Sequence, residues 1–166
     1  MITLLAAAMI GQLKMDHLVP ELTGDQWLTT EKPIKLADRK GKVTLVHFWT
    51  FACYNCKNNL PAVKRLTERF KKDDVITIGV HTPEIDIEKD FKKVTEQTKK
   101  LGIEYPVLFD GKLENWNAWK LDCWPTLFVI DKKGRFRAGW RGELNYNGQN
   151  GEDKIRDVVI KLLAEK

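Results

Sequence analysis

Val43-Thr44-Leu45-Val46-His47-Phe48-Trp49 is an apolar, β-branched run, and Thr50-Phe51-Ala52-Cys53-Tyr54-Asn55-Cys56 follows it directly. Bounded by the turn signal Asp38-Arg39-Lys40-Gly41-Lys42, residues 43 to 49 read as a buried strand. After Tyr54 the apolar period becomes helical: Leu60, Val63, Leu66 and Phe70 share one face of a helix predicted from Tyr54 to Lys71. Pro61 inside it is expected to kink it. Strand, Cys-x-x-Cys and helix in that order place the first thiol at a helix N-terminus. There, unpaired backbone N–H groups and the positive end of the helix dipole stabilise a thiolate. Cys56, three residues on, lies on the same face and can close a disulfide with Cys53. Thiolates, not thiols, attack disulfides. Cys53 is therefore the expected exposed attacker and Cys56 the buried resolver.

Further out, Gln26-Trp27-Leu28 and Pro33-Ile34-Lys35-Leu36 are expected to pair as a short hairpin through Thr29 to Lys32. Val75 to Val80 reads as a strand. Ile87, Phe91, Val94 and Leu101 mark a helix closed by Gly102. Tyr105 to Phe109 is a short strand, and residues 112 to 119 are helical. Leu127 to Ile130 and Phe136 to Trp140 form a hairpin over Asp131-Lys132-Lys133-Gly134. Ile155, Val158, Val159, Leu162 and Leu163 give the final helix. Strands alternate with helices first and a hairpin comes later, which predicts an α/β fold, a mixed central sheet flanked by helices on both faces.

At 166 residues the chain is long enough for one domain with a proper core. Its net charge of +5 comes from lysine pairs such as Lys92-Lys93 and Lys132-Lys133 without aromatic interleaving, which argues against a nucleic-acid module. Three cysteines are too few for a disulfide scaffold. Residues 1 to 10, almost wholly apolar, are shorter than the ~20 needed to span a bilayer. They resemble the core of a secretory signal with Ala6-Ala7-Ala8 as cleavage site, although no Lys or Arg precedes them. Two expectations stand for residues 1–16: a trimmed signal or anchor, or a buried N-terminal segment. Residues 17–166 form the domain.

A zinc site would need two more ligands at suitable spacing, but His17, His47, His81 and Cys123 are scattered. Haem attachment needs His after the second cysteine, and residue 57 is Lys. The pair therefore reads as redox-active, with no metal or cofactor.

The chain resembles the thioredoxin superfamily. It is most similar to extracytoplasmic thiol-disulfide oxidoreductases of the TlpA/ResA type and to the thioredoxin-like domain of DipZ-type cytochrome c biogenesis proteins. The resemblance runs from Gln26 to Leu163 and rests on Val46-His47-Phe48-Trp49, Cys53-Tyr54-Asn55-Cys56-Lys57, Pro61, Gly79-Val80-His81-Thr82-Pro83-Glu84, Tyr105-Pro106-Val107, Trp116-Asn117-Ala118-Trp119, Trp124-Pro125 and Ile130-Asp131-Lys132-Lys133-Gly134. It implies a thioredoxin fold with an N-terminal hairpin extension and an inserted α-β segment near residues 84 to 110. It also implies a cis bond before Pro125 and disulfide exchange outside the cytoplasm, periplasmic or membrane-anchored. The expected partners are a protein disulfide such as that of an apocytochrome c, and a membrane electron donor of thiol-reductase type. The expected state is a monomer. Trp49, Tyr54, Asn55, Trp124 and Pro125 are the implied substrate contacts.

Thioredoxins carry a buried acid six residues before the first cysteine; here that position is His47. An imidazole there either moves protons for Cys56 or packs as a neutral group. Glu84 falls near a glutamate that the TlpA/ResA type places by its dithiol, and is the second candidate proton carrier; His81 is a weaker one. Cys123 has no counterpart and reads as an inert thiol, with a second resolving cysteine as the alternative. Thr50-Phe51-Ala52-Cys53 also matches the Thr-x-x-Cys of peroxiredoxins, but the Pro expected four residues before the Thr is Val46. A thiol peroxidase is thus one alternative function. A non-enzymatic copper- or haem-handling protein is the other.

Overall fold

A computed structural model describes residues 17–165. Its strands are β1 (Trp27–Leu28), β2 (Val43–Trp49), β3 (Val75–His81), β4 (Val107–Phe109), β5 (Thr126–Ile130) and β6 (Phe136–Arg141). Its helices are α1 (Tyr54–Arg69), α2 (Phe91–Lys100), α3 (Glu114–Ala118) and α4 (Gly151–Ala164). The strands form one mixed sheet in the order β1-β4-β3-β2-β5-β6. β2, β3 and β4 are parallel neighbours, while β1, β5 and β6 pair antiparallel. This is the thioredoxin-like arrangement of helices around a mixed sheet. The expected signal or anchor over residues 1–16 lies outside the described residues.

All seven residues of β2 are buried, because both faces of the sheet are covered. Val43, Leu45 and Trp49 point to one face, where Leu60, Val63 and Leu66 of α1, Val94 of α2 and Ile155, Val159 and Leu162 of α4 pack. Val46 and Phe48 point to the other, against Leu22, Leu36 and Trp119. Each such fully buried aliphatic or aromatic side chain contributes about 1.5–3 kcal/mol. The period-2 alternation of β2 therefore glues three helices to one side, and α3 with the N-terminal segment to the other.

Two expectations need correction. The N-terminal hairpin is absent: Trp27 and Leu28 pair with Leu108 and Val107 of β4, and Leu36–Arg39 is a short 3-10 turn. Pro33 has no N–H to give a ladder, and Thr29, with φ of 62°, turns the chain away while its Oγ1 donates to the Tyr105 carbonyl at 2.6 Å. The helix expected from Ile87 starts later. Asp90 caps α2 by accepting from the Lys92 and Lys93 N–H groups at 2.9 and 3.2 Å, which leaves Ile87 in a separate 3-10 turn, Asp86–Lys89. The helix α1 holds Pro61 inside it, as expected.

Because β2, β3 and β4 run the same way, their C-terminal ends open together, and β5 begins at that same end. The turns Thr50–Cys53, Thr82–Ile85 and Asp122–Pro125 all gather there, outside the carboxyl ends of the parallel strands, where open α/β sheets place their ligands. Among the described residues no helix is long and apolar enough to cross a membrane.

Candidate active site

Cys53 is the N-cap of α1, and its sulfur accepts from the Cys56 backbone N–H at 3.4 Å. The three cysteines are free thiols. Cys53 is partly exposed and Cys56 fully buried. The Cys56 thiol hydrogen-bonded to it is the main reason the Cys53 pKa falls to about 7; burial opposes this, the N–H groups of Cys56 and Asn55 add to it, and the nearby Glu84 carboxylate opposes it. Cys56 moves far the other way: the bond to Cys53 and burial both hold its proton, with the Thr50 backbone N–H on its sulfur opposing. The geometry thus separates a thiol ready to ionise at neutral pH from a reserve thiol behind it. Tyr54, 74% exposed, and exposed Asn55 sit beside Cys53 on the solvent side.

Behind Cys56 lies a neutral polar cluster. His47 is wholly buried, and burial drives its pKa down to about 3. Its Nε2 lies 3.5 Å from Asn59 Nδ2 and its Nδ1 3.5 Å from the Tyr105 hydroxyl. The Asn59 amide must donate to a bare Nε2, because its Oδ1 already accepts from the Leu144 N–H at 2.9 Å. The imidazole proton therefore sits on Nδ1, facing Tyr105. Burial, with Cys56 nearby, pushes the Tyr105 phenol above its ordinary pKa. Gly79 permits this packing: a Cβ there would come within 3.0 Å of Tyr105 and 3.1 Å of Trp49 Nε1.

Beside the thiols lies a polar cluster whose centre, Glu88, nothing in the sequence marked. Glu88 is fully buried. Its Oε1 accepts from the Thr50 hydroxyl and, at 2.7 Å, from the Ala52 N–H. Its Oε2 accepts from the N–H groups of Glu84 at 2.9 Å and Ile85 at 3.2 Å. His81, also buried, places Nε2 3.3 Å from Thr50 Oγ1 and stacks on Phe51. Burial lowers its pKa to about 4, partly offset by Glu88. Exposed Glu84 lies close enough to the dithiol to oppose ionisation of both cysteines.

The Trp124–Pro125 bond is cis. Phe48 pairs with Thr126, so this bend lies at the level of Trp49 and Thr50, beside the turn that carries Cys53. Trp124 is half-buried, donates from Nε1 to the Thr82 carbonyl at 3.1 Å, and stacks on Trp116 at 3.9 Å. Trp116 is held by the Asp110 carboxylate, which accepts its N–H at 2.9 Å and that of Asn115 at 3.0 Å. Pro125 is buried. Trp49, expected among the substrate contacts, is instead wholly buried, edge-on to His81. It supports the site from behind. Cys123 lies 3.5 Å from Thr126 Oγ1 and beside the Arg141 guanidinium. Among the described residues no group of three or more His, Cys, Asp or Glu is placed to hold a metal ion.

Known proteins resemble this chain in sequence and fold. Residues 15–138 match the model of the AhpC/TSA family. The chain is 37% identical over 140 residues to the protein DipZ of Mycobacterium bovis, covering 82% of this chain but only 20% of that protein. It is 30% identical over 154 residues to the thiol-disulfide oxidoreductase YkuV of Bacillus subtilis, covering 92% of this chain and 99% of YkuV. The solution structure of a thioredoxin-like protein in the oxidised form superposes with a TM-score of 0.73 at 28% identity, covering 93% of this chain and 99% of that one. With this match over most of its length, the chain belongs to the AhpC/TSA family, and its paired thiols stand at the head of α1 on a thioredoxin fold.

Proposed function

We propose that the protein reduces protein disulfides outside the cytoplasm. The observation that carries this reading is the asymmetry of the dithiol: Cys53 is half-exposed with a pKa of about 7, and Cys56 is buried behind it with its proton held. The Cys53 thiolate attacks a substrate disulfide, forming a mixed disulfide and releasing one substrate thiolate. Cys56 then gives up its proton and attacks Cys53, releasing the second. The substrate gains two electrons and the protein ends as the Cys53–Cys56 disulfide. The direction follows from the degree of thiolate stabilisation. A cysteine pKa of about 3.5 accompanies a strongly oxidising couple, whereas Glu84 opposes the Cys53 thiolate here.

Of the two expected proton carriers we assign Glu84. It is exposed, and its charge reaches both sulfurs; His47 is neutral and sealed away. Tyr54, Asn55 and the Trp124–Pro125 bend form the docking side. The likeness to DipZ supports a disulfide of an apocytochrome c type as substrate, and a membrane thiol reductase as the donor that regenerates the dithiol.

The family match and the Thr50-x-x-Cys53 spacing raise the peroxidase as the second reading. Against it, the Thr50 hydroxyl donates to Glu88 rather than turning toward the Cys53 sulfur. Insulin reduction and hydrogen peroxide consumption, measured side by side, decide between them. Fast insulin reduction with slow peroxide turnover is expected. Negligible insulin reduction with rapid peroxide consumption that survives Cys56→Ser would overturn the reductase.

A further inference from the structure

Glu88 is a buried carboxylate surrounded by donors: a hydroxyl and three backbone N–H groups, all within hydrogen-bonding distance. The three backbone N–H groups can only donate, so both Glu88 oxygens serve as acceptors. Its two oxygens divide the work. One holds the Thr50–Ala52 turn before Cys53, the other the Glu84–Ile85 turn after β3. The donor order also sets the histidine. With the Thr50 hydroxyl proton given to Glu88, His81 must donate from Nε2 to Thr50 Oγ1, which closes a one-way chain from His81 through Thr50 to Glu88. Thr50 is the link to the chemistry: it opens the turn that carries both cysteines, and its backbone N–H favours the Cys56 thiolate.

We propose that Glu88 is a positioning residue for the resolving step: by anchoring the Thr50 side chain, it keeps the Thr50 backbone N–H on the Cys56 sulfur as that sulfur becomes the attacking thiolate. The first attack does not depend on this link. The N–H groups that stabilise Cys53 come from Asn55 and Cys56, inside α1 itself. The two half-reactions therefore respond differently to loss of the clamp, whereas general loosening of the fold would slow both. The inference deepens the dithiol-exchange reading, and it is tested with a small disulfide so that the two stand or fall separately.

Oxidised glutathione serves as the probe. Attack by Cys53 is bimolecular and produces a Cys53–glutathione mixed disulfide. Release is unimolecular: Cys56 gives its proton to Glu84, its thiolate bonds to Cys53 Sγ, and the glutathione thiolate leaves and is protonated. Stopped-flow mixing over a range of glutathione concentrations separates the two rates. Glu88→Gln keeps the shape but turns an NH₂ toward N–H donors. It should leave attack within about twofold and slow release about tenfold, the effect expected when a hydrogen bond to a charged sulfur is lost. Thr50→Val, which keeps the β-branched shape without the hydroxyl, should do the same, and Thr50→Ser should restore release. Wild-type release in Glu88→Gln or Thr50→Val, or equal slowing of both steps, overturns the proposal. If Glu88→Gln does not fold, the Thr50 pair decides alone. Failure of the wild type on insulin would sink the proposed substrate class while leaving this reading of glutathione release intact.

Discussion

The two sides of the dithiol are built from different materials. Cys53 looks toward solvent, backbone N–H groups and the charge of Glu84. Cys56 feels the same charge but is buried, with the uncharged His47, Asn59 and Tyr105 linked behind it. Three residues of sequence separate the sulfurs, yet one ionises near neutrality and the other does not. The difference shows that the helix start alone does not activate a thiol. The dipole acts on both cysteines, and what divides them is exposure together with the one proton they share. The charged residue of the inner site, Glu88, does not face the sulfurs. It faces the turn that carries them.

The hardest test of that division replaces each cysteine in turn by serine. Cys53→Ser should abolish exchange, because no other thiolate is placed to attack. Cys56→Ser should still attack and should accumulate a mixed disulfide, because the resolving thiol is gone. Mass spectrometry after exposure to a disulfide substrate reads both. An adduct on Cys53→Ser and none on Cys56→Ser would reverse the roles.

Much of this was legible in the chain. The apolar run before Cys53 and the helical period after Cys56 located the dithiol and the central strand, since both signals come from local burial. The inner partners were not legible, because they depend on which strands become neighbours. Nothing marks Glu88 in Ile85-Asp86-Ile87-Glu88-Lys89; its burial follows from the 3-10 turn that folds it back under Thr50. The helix expected there would have sent it elsewhere. Tyr105 reaches His47 only because Gly79 lies between β2 and β4. Trp49 was expected on the substrate side, but the strict alternation of β2 turns it inward with Val43 and Leu45.

The next largest effect is on stability in mild acid. His47 and His81 have folded pKa values of about 3 and about 4, below the ordinary 6.5. In the unfolded chain both take up protons below pH 6.5, and in the folded chain they do not until far lower. Above 6.5 they leave stability unchanged, and as pH falls below it they weaken the fold. Between pH 7.5 and 5.5 each should cost about 1.4 kcal/mol. Urea unfolding at the two pH values measures the loss, and His47→Asn should remove about half of it. A pH-independent midpoint across that window would mean that the two histidines ionise in the folded state, and the neutral cluster behind Cys56 would have to be redrawn.

A smaller change sharpens the outer side. Glu84 opposes ionisation of both thiols, so Glu84→Gln should move the midpoint of Cys53 alkylation by iodoacetamide below its wild-type value near 7. Because Glu84 is also the assigned acceptor of the Cys56 proton, the same variant should slow glutathione release. A lowered midpoint without slower release would leave Glu84 as a purely electrostatic neighbour and return the proton to solvent.

The smallest effect is expected at the third thiol. Cys123 sits two residues before Pro125, near enough to the bend to suggest a part in exchange. Its surroundings argue otherwise. The sulfur lies against Thr126 Oγ1, whose hydroxyl is tied back to the Cys123 carbonyl at 2.8 Å, and against Arg141, which pairs with Asp122 at 2.6 Å. These contacts fasten the start of β5 to the end of β6, so the residue stabilises the bend that presents Trp124 without entering the chemistry. Cys123→Ala should therefore keep the reduction potential and the turnover of the wild type. The measurement is peptide mapping of the oxidised protein together with a glutathione redox titration of the variant. A Cys53–Cys123 or Cys56–Cys123 bridge in the wild type would break the two-sided picture and make the site a relay of three thiols.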